Sequence, residues 1–144
     1  MLKLTNLEKG GMQMNDRKYD LEDRLLDYSS DVIRVAESLR NTKAATHVGG
    51  QLLRCGTSPL FNHGEAQAAE SPNDFVHKMK VCLKELRESE RALKLIQRVP
   101  LTDDSEHLES VLVETDELIR IFVTSIRTAE DNRVREAPNE DYQA

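Results

Sequence analysis

Apolar residues along this chain recur at steps of four and three. Between residues 16 and 40, Leu21, Leu25, Tyr28, Val32, Val35 and Leu39 keep that alternation, the seam of a helix lying nearly parallel to its neighbours. Leu26, Ile33 and Ala36 widen the stripe, which predicts contact with more than one partner helix. A second regular run carries Phe75, Met79, Cys82, Leu86, Ser89, Leu93 and Ile96. It opens on Ser71 as N-cap, with Pro72 at the first helical position and Asp74 near the positive end of the dipole. Pro100 ends it, because proline cannot continue the hydrogen-bond ladder. A third run begins near Thr102-Asp103-Asp104-Ser105-Glu106, with acids in its first turn. Leu108, Val111, Leu112, Leu118, Ile119, Phe122 and Ile126 form its broad apolar face.

Residues 43–70 are less regular. Val48, Leu52 and Cys55 keep helical spacing, and Phe61, Ala66 and Ala69 resume it after an interruption containing Gly56, Pro59 and Asn62-His63-Gly64. Three long amphipathic helices cannot shield a core by themselves. The economical solution is an all-α, antiparallel up-down four-helix bundle whose second helix is kinked. Pro59 removes a donor and crowds the carbonyl four residues back, which predicts a bend near Cys55 to Pro59, and Gly56 permits close packing there. The expected organisation is a flexible N-terminal extension over residues 1–15, with Met12 and Met14 as alternative starts. The bundle follows over 16–130 and a disordered tail over 131–144.

Composition narrows the picture further. At 144 residues the chain is most simply one domain, with a formal net charge of −6 and no tryptophan. Cys55 and Cys82 both fall on apolar faces and read as reduced core thiols of a cytoplasmic protein rather than a disulfide framework. The first 18 residues lack a continuous apolar stretch, which argues against a signal peptide or membrane anchor. The acidic total also argues against indiscriminate nucleic-acid binding. Charge is nevertheless uneven: residues 71–102 carry +3 and residues 103–131 carry −7.

The basic segment holds the most suggestive pattern. Lys80, Lys84, Arg87, Arg91, Lys94 and Arg98 are spaced four and three apart, a straight row about 27 Å long at about 1.5 Å per residue. Such a row can follow a phosphate backbone of RNA or DNA. It can equally be a solvated face paired locally, since Glu90 precedes Lys94 by four and Glu88 follows Lys84 by four. A third reading sets the basic helix against the acidic fourth one, within or between subunits. Metal ligation finds only Asp74/His77 and Asp104/His107, where capping explains both aspartates, and no Glu-x-x-His lies in mid-helix. Catalytic motifs fare no better. Cys55-Gly56-Thr57-Ser58 is not a nucleophile elbow, no glycine-rich phosphate loop occurs, and His63 and Glu65 face different directions on a helix. No cofactor, metal or small-molecule substrate is expected. Asn62 and Glu65 read as groups that satisfy backbone freed by Pro59 or cap the third helix; the alternative, a polar contact across a subunit ring, is implied only by the resemblance set out next.

The stretch from Arg54 to Glu90 resembles the bacterial four helix bundle protein family, also called the 23S rRNA intervening-sequence proteins. Arg54, Thr57, Ser58, Asn62, Glu65, Ala66, Ser71, Asp74, Phe75, Lys78, Lys84, Glu85 and Glu88 fill the places of its motif. The match is dense over residues 50–90, and the helix layout extends it over about 20–128. The resemblance implies a left-handed antiparallel four-helix bundle assembling into a homopentameric ring, with no catalytic activity. It also implies an accessory or scaffold role in which RNA or DNA is a candidate ligand. The alternative is a protein-interaction module with no nucleic-acid ligand, whose partner meets the acidic face of the fourth helix.

Overall fold

The computed structural model describes the backbone of residues 14–136 and the side chains of residues 21–135. Within them are four helices and no strand: α1 (Met14–Glu37), α2 (Lys43–Gln67), α3 (Pro72–Arg98) and α4 (Ser105–Glu136). The helix ends follow the capping signals. The Thr42 side chain accepts from the Ala45 amide at 3.1 Å, Ser71 accepts from the Asp74 amide at 3.1 Å, and Asp104 accepts from the His107 amide at 3.2 Å. The α1–α2 and α3–α4 turns are tied together at one end of the molecule. Arg40 donates its amide to the Leu101 carbonyl at 2.9 Å and pairs with Asp103 at 2.6 Å. The fourth helix reaches Glu136, so residues 131–136 belong to α4 rather than to a disordered tail. The N-terminal boundary expected at residue 15 falls next to the start of α1, while residues 1–13 and 137–144 lie outside the described residues.

The core is one cluster drawn from all four helices. Leu25, Val32, Leu52, Cys82, Leu86, Leu93, Ile96, Leu118 and Phe122 are fully sealed from water, and burial of this kind is worth about 1.5–3 kcal/mol for each large side chain. The four-three stripes of α1 and α3 and the broad apolar face of α4 turn inward as their spacing predicts. On α2 the stripe does not break. It runs through Leu52, Cys55, Pro59, His63 and Ala66, all buried, and the helix continues through Pro59 without interruption. Phe61, expected to resume the core stripe, instead points outward at 68% exposure, because His63 holds the inward position at that level. Leu26 and Ile33 are likewise 52% and 45% exposed, although α1 does meet two helices, α2 and α4, as the wide stripe predicts.

Two glycines set the α1–α2 distance. A Cβ at Gly56 would stand 2.6 Å from Val32 Cγ1, and one at Gly49 would stand 3.0 Å from Leu39 Cδ1. Glycine at these positions lets the α1 side chains rest directly on the α2 backbone. Gly50 and Gly64 differ, since among the described residues neither has an atom from beyond its own helix backbone within 4 Å of where a Cβ would lie.

A polar thread crosses the apolar interior. The Tyr28 hydroxyl lies 2.8 Å from Thr115 Oγ1, and Thr115 in turn donates to the Val111 carbonyl at 2.7 Å. Ser89, fully buried on α3, donates to the Glu85 carbonyl at 2.8 Å. His63 sits edge-on to Phe122, ring centroids 6.2 Å apart, with Gln67 at 3.3 Å from its Nε2. These bonds follow from the rule that a buried polar group needs a partner.

Candidate functional site

The motif residues collect along the α2–α3 seam. Arg54 extends from α2 between two α3 carboxylates, 3.5 Å from Glu85 and 3.3 Å from Glu88. About three turns further along α2, Glu65 accepts from Lys78 at 3.0 Å. Between these rungs the Asn62 amide group donates to the Ser58 hydroxyl at 2.8 Å and to the Ser58 carbonyl at 3.1 Å. Neither Asn62 nor Glu65 therefore serves the carbonyl of Cys55 that Pro59 frees, and Glu65 does not cap α3. Ser71 caps α3 through Asp74, and Phe75 is half-buried beside them, packed on the core.

The rungs differ in electrostatic character. Glu85 is 8% exposed and its Oε2 atom has no hydrogen bond, so burial raises its carboxyl above the ordinary range. The neighbouring Glu88 pushes it the same way, while Arg54 and Lys84 pull it back. Lys78 is held above its usual value chiefly by its hydrogen bond to Glu65. Beneath the seam lie the two thiols. Cys82 donates toward the Pro59 carbonyl at 3.6 Å and is pushed up to about 12 by burial; Cys55 is raised by burial as well. Both are free thiols and buried, which makes them inert as nucleophiles. Glu85, already named by the motif, also carries a burial signal in the sequence: its spacing of three from Cys82 and four from Ser89 places it on the core-facing side of α3.

The basic row lies on the opposite, outward face of α3, and all six cations are exposed. Two of them are engaged. Lys80 pairs with Glu130 of α4 at 2.7 Å, and Lys94 pairs with Glu90 at 3.4 Å. Glu130 is correspondingly held below the usual carboxylate range by Lys80. The expected partner of Lys84 is taken: Glu88 turns to Arg54 instead. Lys84, Arg87, Arg91 and Arg98 make no ion pair within 4 Å among the described residues. Local pairing and α3–α4 pairing each account for one cation, and four remain directed to solvent.

Among the described residues no cluster of three or more His, Cys, Asp or Glu could hold a metal. His77 is exposed on α3, and Asp104 is occupied as the α4 cap. A shallow groove lined by Ala66, Ala69, Pro72, Phe75 and Ala129 opens at the α2–α3 turn. Among the described residues no helix is long and apolar enough to cross a membrane.

No family model matches the chain, and no curated protein matches it. A solved structure does. It is a protein of unknown function from the S23 ribosomal protein family of Bacteroides thetaiotaomicron, 28% identical in sequence. The similarity covers 76% of this chain and 97% of that one, with a TM-score of 0.70. In fold, the chain is similar to this protein of the S23 ribosomal protein family, and its four helices fit a four-helix-bundle family.

Proposed function

We propose that the chain is a non-enzymatic, cytoplasmic scaffold or accessory protein that self-associates into a ring, with RNA or DNA held along the outward face of α3. The observation that carries the nucleic-acid reading is the set of four exposed cations, Lys84, Arg87, Arg91 and Arg98, without ion-pair partners among the described residues. Cations left unpaired in a chain of net charge −6 are the groups free to neutralise phosphates and so displace the counterions condensed on the nucleic acid. Five copies is the number that the family resemblance implies.

The finer architecture belongs to the same reading: helices antiparallel, up-down, left-handed, with α2 bent at Pro59. Pairs of contacts support the antiparallel order, since residue numbers rise on one helix as they fall on the next. Val32 meets Gly56 while Leu39 meets Gly49. Arg54 meets Glu88 while Glu65 meets Lys78. Lys80 meets Glu130 while Gln97 meets Glu109. The seven-residue repeat supports the left-handed sense, and the missing donor at Pro59 supports the bend.

The test is titration of labelled single-stranded RNA and duplex DNA against the full chain at several salt concentrations. The expected affinity falls steeply with salt, and Lys84→Glu with Arg91→Glu abolishes it. Tight binding retained by that double variant would sink the α3 reading. The second reading, a protein-interaction module meeting the acidic α4, rests on Asp103, Glu106 and Glu109, which are exposed near the start of that helix.

A further inference from the structure

The cations of α3 have neighbours on α4 that the spacing of α3 alone does not show. Lys80 meets Glu130 and Gln97 meets Glu109 across the α3–α4 seam. Counted from those two contacts, Arg127 stands level with Lys84, and Arg120 stands between the levels of Arg87 and Arg91. Helical phase gives the direction in which they point. At about 100° per residue, Arg127 and Arg120 lie about 60–80° round the helix from Glu130. The buried Leu118, Phe122 and Ile126 lie on the other side of Glu130, so the two arginines turn outward beside the α3 row. Both are exposed. Arg127 makes no ion pair within 4 Å among the described residues. Arg120 pairs with Asp116, four residues back on its own helix, at 2.9 Å.

We infer that α3 and α4 together form one basic platform for a double-stranded nucleic acid. Lys84, Arg87 and Arg91 meet one phosphate backbone of the duplex, and Arg120 and Arg127 meet the other. Packed helices lie about 8–10 Å apart, so the two sets of cations run as parallel lines with a comparable gap. A single strand offers one backbone and satisfies one line. A duplex offers two, separated by grooves about 6 and 12 Å wide, a range that contains the gap. The acids on this surface do not close it. Glu130 is held by Lys80 and Glu90 by Lys94, and Asp131 stands one turn beyond Arg127, at the edge. The Arg120–Asp116 pair is exposed on both sides, and pairs of that kind contribute under about 1 kcal/mol, so a phosphate displaces Asp116 at little cost. The placement of aromatic residues agrees with the same assignment. Proteins that hold single strands stack the bases on exposed aromatic rings. Here Tyr28 and Phe122 are buried, Phe75 is partly buried against the core, and the exposed Phe61 belongs to α2. The groups met are phosphates, which duplex DNA and duplex RNA share.

This platform rests on the nucleic-acid reading proposed above and adds to it the strandedness of the ligand and two residues of α4. The test titrates the full chain against labelled duplex DNA, duplex RNA and unpaired oligo-dT of equal length, each over a range of salt. The expected result is a duplex bound at least about tenfold more tightly than oligo-dT, and the better of the two duplexes tells DNA from RNA. Arg120→Gln with Arg127→Gln should lower the slope of log affinity against log salt for that duplex by about 1.8, two phosphate contacts at about 0.9 each. Binding of oligo-dT should stay as in the wild type. Arg120→Lys with Arg127→Lys keeps both charges and should keep the slope. Both positions face solvent, so helix content by circular dichroism should be the same in all the proteins. Oligo-dT bound as tightly as either duplex, or a duplex salt slope unchanged in the glutamine variant, overturns the platform and leaves the α3 row standing. Binding to none of the three overturns both.

Discussion

The phenol of Tyr28 on α1 lies 2.8 Å from the hydroxyl of Thr115 on α4, with both side chains sealed from solvent. Neither group has water to fall back on, and with the Thr115 proton given to the Val111 carbonyl, the Tyr28 hydroxyl donates to Thr115. Tyr28→Phe and Thr115→Val should each lower the unfolding free energy by about 1–2 kcal/mol. The double variant should lose less than the sum, because it leaves no orphan behind. Urea denaturation of the four proteins closes this cycle, and strict additivity would show that the bond contributes nothing specific.

Four glycines in one helix should respond in opposite directions to alanine. Gly56→Ala drives a methyl group into Val32 and should destabilise the bundle by about 1–3 kcal/mol. Gly50→Ala and Gly64→Ala meet open space and should raise the stability of the folded chain by about 0.4–1 kcal/mol. Thermal unfolding separates the two groups, and Gly56→Ala with Val32→Ala should recover part of the loss.

Arg54 restrains a carboxyl that burial raises, so removing it should produce a pH signature. A carboxyl raised in the folded state binds its proton more tightly there than in the unfolded chain, which makes folding at this site more favourable as pH falls toward about 4.5. Arg54→Met should therefore be destabilising at pH 7 and progressively less so on acidification. Adding Glu85→Gln should flatten that dependence. Denaturation midpoints of both variants between pH 4.5 and 8 measure it, and an acid-independent deficit in Arg54→Met would remove Glu85 from the explanation.

The buried thiols predict the opposite limb. Cys82 keeps its proton to about 12 in the folded chain, whereas an unfolded cysteine loses it near 8.5. Stability should fall as pH rises above about 8.5, approaching about 1.4 kcal/mol per pH unit for each such thiol. At pH 8 neither Cys55 nor Cys82 should react with a thiol reagent until denaturant is added, a measurement that reads burial directly. Rapid labelling of the native chain would contradict the sealed core.

Much of the fold was legible because α1 and α3 keep a four-three stripe and α4 a broad apolar face, and periodicity of that kind leaves one inward face. The motif seam was legible as a set of residues but not as a set of pairs, since Arg54 and Glu88 are far apart in sequence and only the packing of α2 on α3 joins them. α2 misled at two positions. Phe61 is the larger apolar group, and hydrophobicity alone draws it inward. The phase set by Leu52, Cys55 and Pro59 puts His63 there instead, with Phe122 to receive it. Charge on α3 was legible as a row, yet which cations were already committed depended on Glu130, a residue of another helix.

The first and last helices touch more sparingly than the other neighbouring pairs among the described residues. Their seam is fastened largely by polar groups: Arg24 reaching Glu114 and Glu117, Arg40 reaching Asp103, and the Tyr28–Thr115 bond within. Solvent-facing ion pairs loosen as salt screens them, while the apolar seams of α2 do not. Partial opening should therefore start at the α1–α4 seam, with α1 swinging away from a folded remainder. Amide exchange would record this as a helix that loses protection in rising salt ahead of its three companions.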